Sequence, residues 1–195
     1  MGHHVCPVWV GHLLANPLRK LVQNPLTILG PHVQAGMMVM DVGPGMGFFS
    51  LPLAQLVGPG GRVVCVDVQA EMLEGLRRRA RRAGLDERIG TRLCTPGSPE
   101  LEEFRGRMDF VLAFAVVHET PDSLLFLKDI AGVLKARGRL LLAEPKGHVS
   151  EAEFRVTVQQ AADSGLRIAE SPKIWRTRAV LMEKRVASGP VVGQE

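Results

Sequence analysis

The sequence predicts an α/β fold on a mostly parallel sheet, and three observations carry that expectation. Past residue 36, short β-branched or apolar runs alternate with longer amphipathic stretches, the pattern of parallel strands joined by crossover helices. Turn signals stand just before strand candidates, at Gly58-Pro59-Gly60-Gly61 and at Ala136-Arg137-Gly138. Only the short break around Ser171-Pro172-Lys173 separates the last two strand candidates, too little chain for a parallel crossover, so that pair is expected to be antiparallel.

Taken in order, the strand candidates are Met38–Val42, which runs into a glycine-rich turn, and Arg62–Val66, which follows the first turn signal. Next come Gly90–Leu93, the apolar Phe110–Phe114, and Arg139–Ala143 after the second turn signal; Leu166–Glu170 and Thr177–Glu183 close the series. Helices are expected between them over Phe48–Val57, Ala70–Ala83, Ser123–Leu134 and Glu151–Ser164. In the second of these, Met72, Leu73, Leu76, Ala80 and Ala83 recur at helical spacing, while Arg77, Arg78, Arg79, Arg81 and Arg82 crowd the other positions. No aromatic residues interleave with these arginines as stacking platforms would, so they are expected to be the solvated face of a core-packed helix rather than a nucleic-acid patch.

The first 36 residues differ. Pro7, Pro17, Pro25 and Pro31 exclude a long helix, yet Trp9, Leu13, Leu14, Leu18, Leu21, Leu26, Ile28 and Leu29 are too apolar for a free tail. Two readings are open: a helical cap over the bottom or edge of the sheet, or a lid over a ligand crevice. The expected organisation is therefore a cap or lid over 1–36, one α/β domain over 37–186, and a loose tail over 187–195 around Ser188-Gly189-Pro190.

Composition excludes several classes. The 195 residues suffice for one domain with a sizeable core. The longest apolar run, Phe110 to Val117, falls far short of the roughly 18 residues needed to cross a bilayer, and the N-terminus lacks a signal-peptide layout, so a cytoplasmic protein is expected. Cys6, Cys65 and Cys94 are too scattered for a disulfide framework or a Cys-x-x-Cys pair and are expected to be reduced thiols. His3, His4, Cys6 and His12 cluster without recognisable ligand spacing, and no metal is expected.

The chemistry concentrates in Asp41-Val42-Gly43-Pro44-Gly45-Met46-Gly47, where a strand runs into a turn that opens a helix. Glycines let a ligand approach the backbone closely, and the helix start offers free N–H groups. Asp67, 20 residues after Gly47 at the end of the second strand, is placed to accept hydrogen bonds from ribose hydroxyls. A dinucleotide-binding turn requires a small third residue where this chain has Phe48.

The run Gly43-x-Gly45-x-Gly47 behind Asp41 instead resembles the first motif of class I S-adenosylmethionine-dependent methyltransferases. The resemblance extends from about Gly36 to Lys184. Met108 to Glu119 is similar to that family's fourth-strand segment, which commonly ends in a histidine, and Val133 to Pro145 is similar to its leucine-lysine-proline-glycine-glycine turn and fifth strand, with Ala136 and Arg137 replacing the usual residues. The fold this implies is a Rossmann-like, seven-stranded, mostly parallel sheet with helices on both faces and an antiparallel last strand.

The resemblance also implies roles. Gly43, Pro44, Gly45 and Gly47 would form the turn against S-adenosylmethionine, Asp41 would help hold its ammonium group, and Asp67 would bind its ribose. Val68, Gln69 and Met72 would lie against the adenine, and the Phe114 backbone beside the methionine end. Many relatives carry an aspartate after the third strand to hold the adenine amino group, where this chain has Cys94-Thr95, so Thr95 is the candidate there. Transfer would leave S-adenosylhomocysteine.

Methyl transfer from a sulfonium needs alignment and dryness, with a base added when the nucleophile is protonated. The candidates at strand ends are His118, Glu119, Glu144 and His148, with a histidine suited to a base role and Glu144 to an orienting one. The expected activity is in-line methyl transfer to a small-molecule acceptor, in a crevice at the carboxyl ends of the strands. The alternatives are a cofactor-binding regulatory or assembly module without transfer activity, and an RNA methyltransferase. No Asn/Asp-Pro-Pro-aromatic motif follows the fourth strand, which disfavours methylation of nucleobase amino groups, and the scattered thiols disfavour arsenite methylation. The expected partner is a small-molecule acceptor, with neither nucleic acid nor membrane; a homodimer is compatible with the sequence.

Overall fold

The computed structural model describes residues 23–95 and 101–186. Seven strands form one sheet: β1 (Met38–Val42), β2 (Arg62–Asp67), β3 (Ile89–Leu93), β4 (Met108–Phe114), β5 (Leu134–Pro145), β6 (Leu166–Glu170) and β7 (Thr177–Lys184). Their order across the sheet is β3-β2-β1-β4-β5-β7-β6. β1 lies parallel between β2 and β4, with Val42 level with Val66 on one side and Ala113 on the other. β7 runs antiparallel to both β5 and β6, as the short connection before it requires.

Residues alternate between two buried layers because strand side chains have a period of two. Val39, Cys65, Phe110, Leu112 and Leu141 face one layer, covered by α1 (Pro25–Leu29), α2 (Ser50–Leu56) and α3 (Ala70–Arg82). Met40, Val42, Val66, Val111 and Leu142 face the other, covered by α4 (Ser123–Val133) and α5 (Glu151–Asp163). Three of these helices begin on side-chain caps: Asn24 accepts from Leu26 N–H, Asp122 accepts from Leu125 N–H, and Ser150 with Glu153 forms a reciprocal capping box.

On α3, Met72, Leu73, Leu76 and Ala80 are buried while Ala83 is exposed just past the helix end. The arginines are largely a solvated face held by the protein itself, with Arg77 donating to Thr91 Oγ1 at 2.7 Å and Arg79 donating to the Met46 carbonyl.

One finding differs from the sequence expectation. β5 does not wait for the Ala136-Arg137-Gly138 turn. Leu134 already pairs with Met108, after which the register shifts so that Phe110 pairs with Arg139. Lys135 Nζ donates to Asp109 Oδ1 at 2.6 Å and Lys184 Nζ to the Leu134 carbonyl at 2.8 Å, which ties the chain down ahead of the shift. The turn is thus a bulge within the strand, with Arg137 at φ +62°.

Of the N-terminal segment, residues 1–22, with Cys6 and the His3, His4 and His12 cluster, lie outside the described residues, as does the tail 187–195. Residues 23–36 cross one face of the sheet. Gln23 donates to the Trp175 carbonyl and to Thr177 Oγ1, level with the carboxyl end of β5, whereas the Gly36 N–H reaches the Val57 carbonyl near the amino end of β1. Between them Leu29 and Val33 enter the core, and the His32 ring stacks on Phe110 at 6.4 Å.

Leu29→Ala is therefore expected to cost about 2–5 kcal/mol of global stability, the usual range for emptying a core leucine site. Urea denaturation checks this, and a change below about 0.5 kcal/mol, as for a surface substitution, would show that the segment is not part of the core.

Candidate functional site

Because β1, β2, β4 and β5 are mutually parallel neighbours, their carboxyl ends meet at one rim of the sheet, and the sequence-predicted residues gather there. Gly43, Gly45 and Gly47 all have positive φ, at +68°, +53° and +84°. Their reasons differ. A side chain at Gly43 would meet Val116 Cγ2 at 2.8 Å and one at Gly47 would run into Leu76 Cδ1, so these two glycines let the turn pack on the chain after β4 and on α3. At Gly45 an added side chain would meet nothing within 4 Å, which leaves the middle of the turn open toward the rim. The Met46 carbonyl, bonded by Arg79, and the Gly43 N–H, bonded to the Val66 carbonyl at 2.9 Å, anchor the turn to α3 and β2.

Asp67 ends β2 beside that opening and is only 8% exposed. Its carboxylate accepts the Gln69 N–H at 3.0 Å and also interacts with the Gly45 and Val68 N–H groups, so acid and glycine turn form one hydrogen-bonded unit. Burial raises its carboxyl above the ordinary range, and these bonds partly offset the rise. Val68 and Gln69 are half-buried next to it, and Met72 is buried in the first turn of α3. Thr95 follows β3 in an exposed position, after a Cys94 N–H bond to the Asp67 carbonyl at 3.0 Å. Pro44 is buried, and Phe114 is buried against Phe49, ring centroids 4.5 Å apart.

Asp41 lies one layer below the rim, 2% exposed, with Ser50 Oγ donating to its Oδ2 at 2.6 Å. That bond ties β1 to the first turn of α2. Burial pushes its carboxyl up to about 7. The partner Ser50 has no sequence signature of its own; nine residues separate the pair, and only the glycine turn folds them together.

The four catalytic candidates also converge. Glu144, at the end of β5 and 1% exposed, accepts His118 Nδ1–H at 2.6 Å through Oε2 and the Val117 N–H at 2.8 Å through Oε1. A carboxylate on Nδ1 assigns the proton to that nitrogen and leaves Nε2 as the free acceptor. The His118 hydrogen bond to Glu144 raises its pKa above the ordinary 6.5, against burial, which lowers it. Glu119 Oε1 stands 4.0 Å from Nε2, beyond hydrogen-bond reach, and the exposed His148 ring meets the His118 ring edge-on at 5.5 Å. Ala115, between β4 and this pair, has φ +59°, a conformation sequence reasoning did not foresee; its N–H donates to the Ala143 carbonyl at 2.7 Å.

Residues 33–182 match the family described as a methyltransferase domain. The chain belongs to the S-adenosylmethionine-dependent methyltransferase family. It is 31% identical over 145 residues to a ubiquinone biosynthesis O-methyltransferase of Bradyrhizobium diazoefficiens, a match covering 72% of this chain and 51% of that protein. It is likewise 31% identical over 156 residues to the ribosomal RNA small subunit methyltransferase G of Deinococcus radiodurans, covering 78% of this chain and 58% of that one. The chain thus spans little more than half the length of these relatives. Among solved structures, a SAM dependent methyltransferase from Aquifex aeolicus superposes with a TM-score of 0.81 at 23% identity, over 92% of this chain and 99% of that one. The methyltransferase fold is therefore shared almost from end to end. Among the described residues no helix is long and apolar enough to cross a membrane, and no cluster of His, Cys, Asp and Glu is arranged to hold a metal.

The Asp41 geometry sets a pH dependence. Its protonated form is favoured in the fold, so this contribution to stability is complete below pH 3.8 and is lost as pH rises toward about 7. Without added ligand, Asp41→Asn should flatten the stability profile across that window, by an amount on the order of 4 kcal/mol. Parallel unfolding free energies for the two proteins from pH 4 to 7 would remove Asp41 as the titrating group.

Proposed function

We propose that the chain transfers the methyl group of S-adenosylmethionine to a small molecule whose accepting atom carries a proton, with His118 taking that proton. The observation that carries this reading is the buried Glu144 holding His118 Nδ1 while Nε2 is left as an acceptor, in the segment where Val116 packs against Gly43 of the glycine turn.

The site fits the cofactor on its own features: the middle of a positive-φ turn is open where Gly45 lacks a side chain, and a buried carboxylate sits beside it. When bound, the cofactor supplies a sulfonium-activated methyl group. Asp67 would accept the ribose hydroxyls, Gly43, Pro44, Gly45 and Gly47 would carry the chain around the methionine and ribose, and Val68, Gln69 and Met72 would border the adenine, with Thr95 at its far edge. Asp41 would act at one remove, by holding Ser50 and the start of α2 in register with the turn. The Phe114 backbone and the strained Ala115 would set the position of the His118 turn relative to the methionine end.

The acceptor's proton would pass to His118 Nε2 as the new bond to carbon forms. Glu144 would orient the ring and stabilise the imidazolium, as a buried carboxylate does for a catalytic histidine. Glu119 and His148 flank the ring and would help shape the acceptor pocket. An RNA substrate is disfavoured by the α3 arginines, of which Arg77, Arg78 and Arg79 are engaged with Thr91, Glu74 and the Met46 carbonyl. A non-catalytic binding module would have no use for the His118 and Glu144 pair, and turnover measurements decide between them.

Two predictions follow from this reading. In calorimetry with S-adenosylhomocysteine, Asp67→Ala should weaken binding by about 1.5–3 kcal/mol, the worth of hydrogen bonds to a charged group. Gly45→Val should abolish binding in a folded protein, because it fills the opening and strains a φ of +53°. Unchanged affinity in both variants would refute the cofactor site.

For turnover, the neutral His118 is the active form, so the rate should rise with pH through a value above 6.5. Glu144→Gln removes the chief cause of that elevation. The acid limb should then move to lower pH while the plateau rate falls by about 10²-fold or more. Should a screen of hydroxyl-bearing acceptors give a rate profile that Glu144→Gln lowers without moving its acid limb, the base assignment fails.

A further inference from the structure

The opposite end of the sheet carries a second cleft that the methyl-transfer site does not use. It has a volume of about 260 Å³ and lies at the amino ends of β1, β4 and β5, lined by Pro31, His32, Met37, Asp109, Lys135 and the bulge Ala136–Arg139. The five residues of β1 separate it from the glycine turn by roughly 15 Å.

Its charges are unbalanced. Three cationic side chains, Lys135, Arg137 and Arg139, face one acid, Asp109. Asp109 is already satisfied, with Oδ1 taking Lys135 Nζ at 2.6 Å and Oδ2 taking the Met38 N–H at 2.9 Å. The Arg137 and Arg139 side chains make no hydrogen bond or ion pair with any of the described residues. Glu183 attracts both through space, but its carboxylate is bonded to Arg167 at 2.6 Å. Arg137 is presented by a bulge that holds it at φ +62°, and the bulge is closed by Gly138, where a side chain would meet the Lys135 and Met108 carbonyls at 2.9 Å.

His32 adds an independent signal. The residue is 91% buried, since its exposure is 9%, and its Nδ1 is the one buried side-chain nitrogen or oxygen among the described residues without a hydrogen-bond partner. An orphaned buried polar atom destabilises the fold unless something outside the chain satisfies it. Glu170 and Arg139 are the charged groups that act on this ring.

We infer that this cleft is a second ligand site, in which the Arg137 and Arg139 guanidinium groups and His32 take a phosphoryl group. Two forked guanidinium donors match the oxygens of a phosphate better than those of any single-atom anion, and the bidentate geometry provides specificity as well as charge. The open side of the cleft leaves room for the phosphate to belong to a larger molecule.

Calorimetry on the full chain in a phosphate-free buffer, with inorganic phosphate and separately with glycerol 3-phosphate, tests this. Saturable binding of one equivalent is expected, with a Kd below about 1 mM. Arg137→Gln and Arg139→Gln should each weaken it by about tenfold, while Arg81→Gln on the exposed face of α3 leaves it unchanged. Asp67→Ala should also leave it unchanged, which separates this site from the cofactor site. Tighter binding of glycerol 3-phosphate would identify an organic phosphate as the natural source; tighter inorganic phosphate would identify the free ion. Absence of saturable binding, or equal weakening by Arg81→Gln, would overturn the proposal. Arg137 is exposed in a turn, so its variant remains informative even if Arg139→Gln unfolds.

Discussion

A buried carboxyl group must find donors for its oxygen lone pairs or pay heavily for leaving water, and Glu144 meets that requirement by reaching across from β5 to the chain leaving β4. One oxygen takes the Val117 N–H and the other takes the His118 ring. The site depends on this arrangement because the segment it holds is itself unfavourable. Ala115 sits at φ +59°, a conformation costing about 1–2 kcal/mol for a residue with a side chain. Each hydrogen bond to a charged group returns about 1.5–3 kcal/mol. The bonds to Glu144 therefore outweigh the strain, and the turn after β4 keeps a shape that its local sequence would not choose.

That turn then sets the rest of the rim. Its Val116 side chain fills the space where a side chain at Gly43 would stand, so the glycine turn and the histidine turn pack as one surface. On the other side of β1, Asp67 gathers N–H groups from its own turn and from Gly45. The glycine turn is thus flanked on each side by a carboxylate that is buried and bonded to backbone, and open space is left at Gly45. The same parallel pairing that brings these ends together separates them from the amino-terminal rim, where backbone turns again leave charged side chains gathered around a cleft.

Much of this was legible from local signals. The spans Met38–Val42 and Leu166–Glu170 are found as read, and the helices end within about two residues of their expected limits. Periodicity and turn residues report such elements because they act over a few positions. The glycine motif, Asp67 and the four strand-end candidates were also visible, since residue type and spacing carry them. What could not be read is what depends on distant chain. His118 and Glu144 are 26 residues apart and meet only because Phe114 pairs with Ala143. The premature start of β5 at Leu134 follows from lysines that bind Asp109 and the Leu134 carbonyl, neither of which leaves a periodic trace. The helix Pro25–Leu29 is too short for periodicity to register, although Asn24 followed by Pro25 is a recognisable start signal.

The different roles of the three glycines show how far a motif can be read. As a string, Gly43-x-Gly45-x-Gly47 suggests one purpose, close approach of a ligand. In the fold, two of the three admit neighbouring side chains, Val116 and Leu76, and only Gly45 faces open space. Most of the motif is therefore spent on packing the turn against α3 and the chain after β4, which is what holds the opening at Gly45 in place. A substitution at Gly43 or Gly47 would act on the shape of the turn, whereas one at Gly45 would place its side chain in the open space beside it. The spacing of such a motif encodes the rigidity of the platform as much as contact with what binds to it.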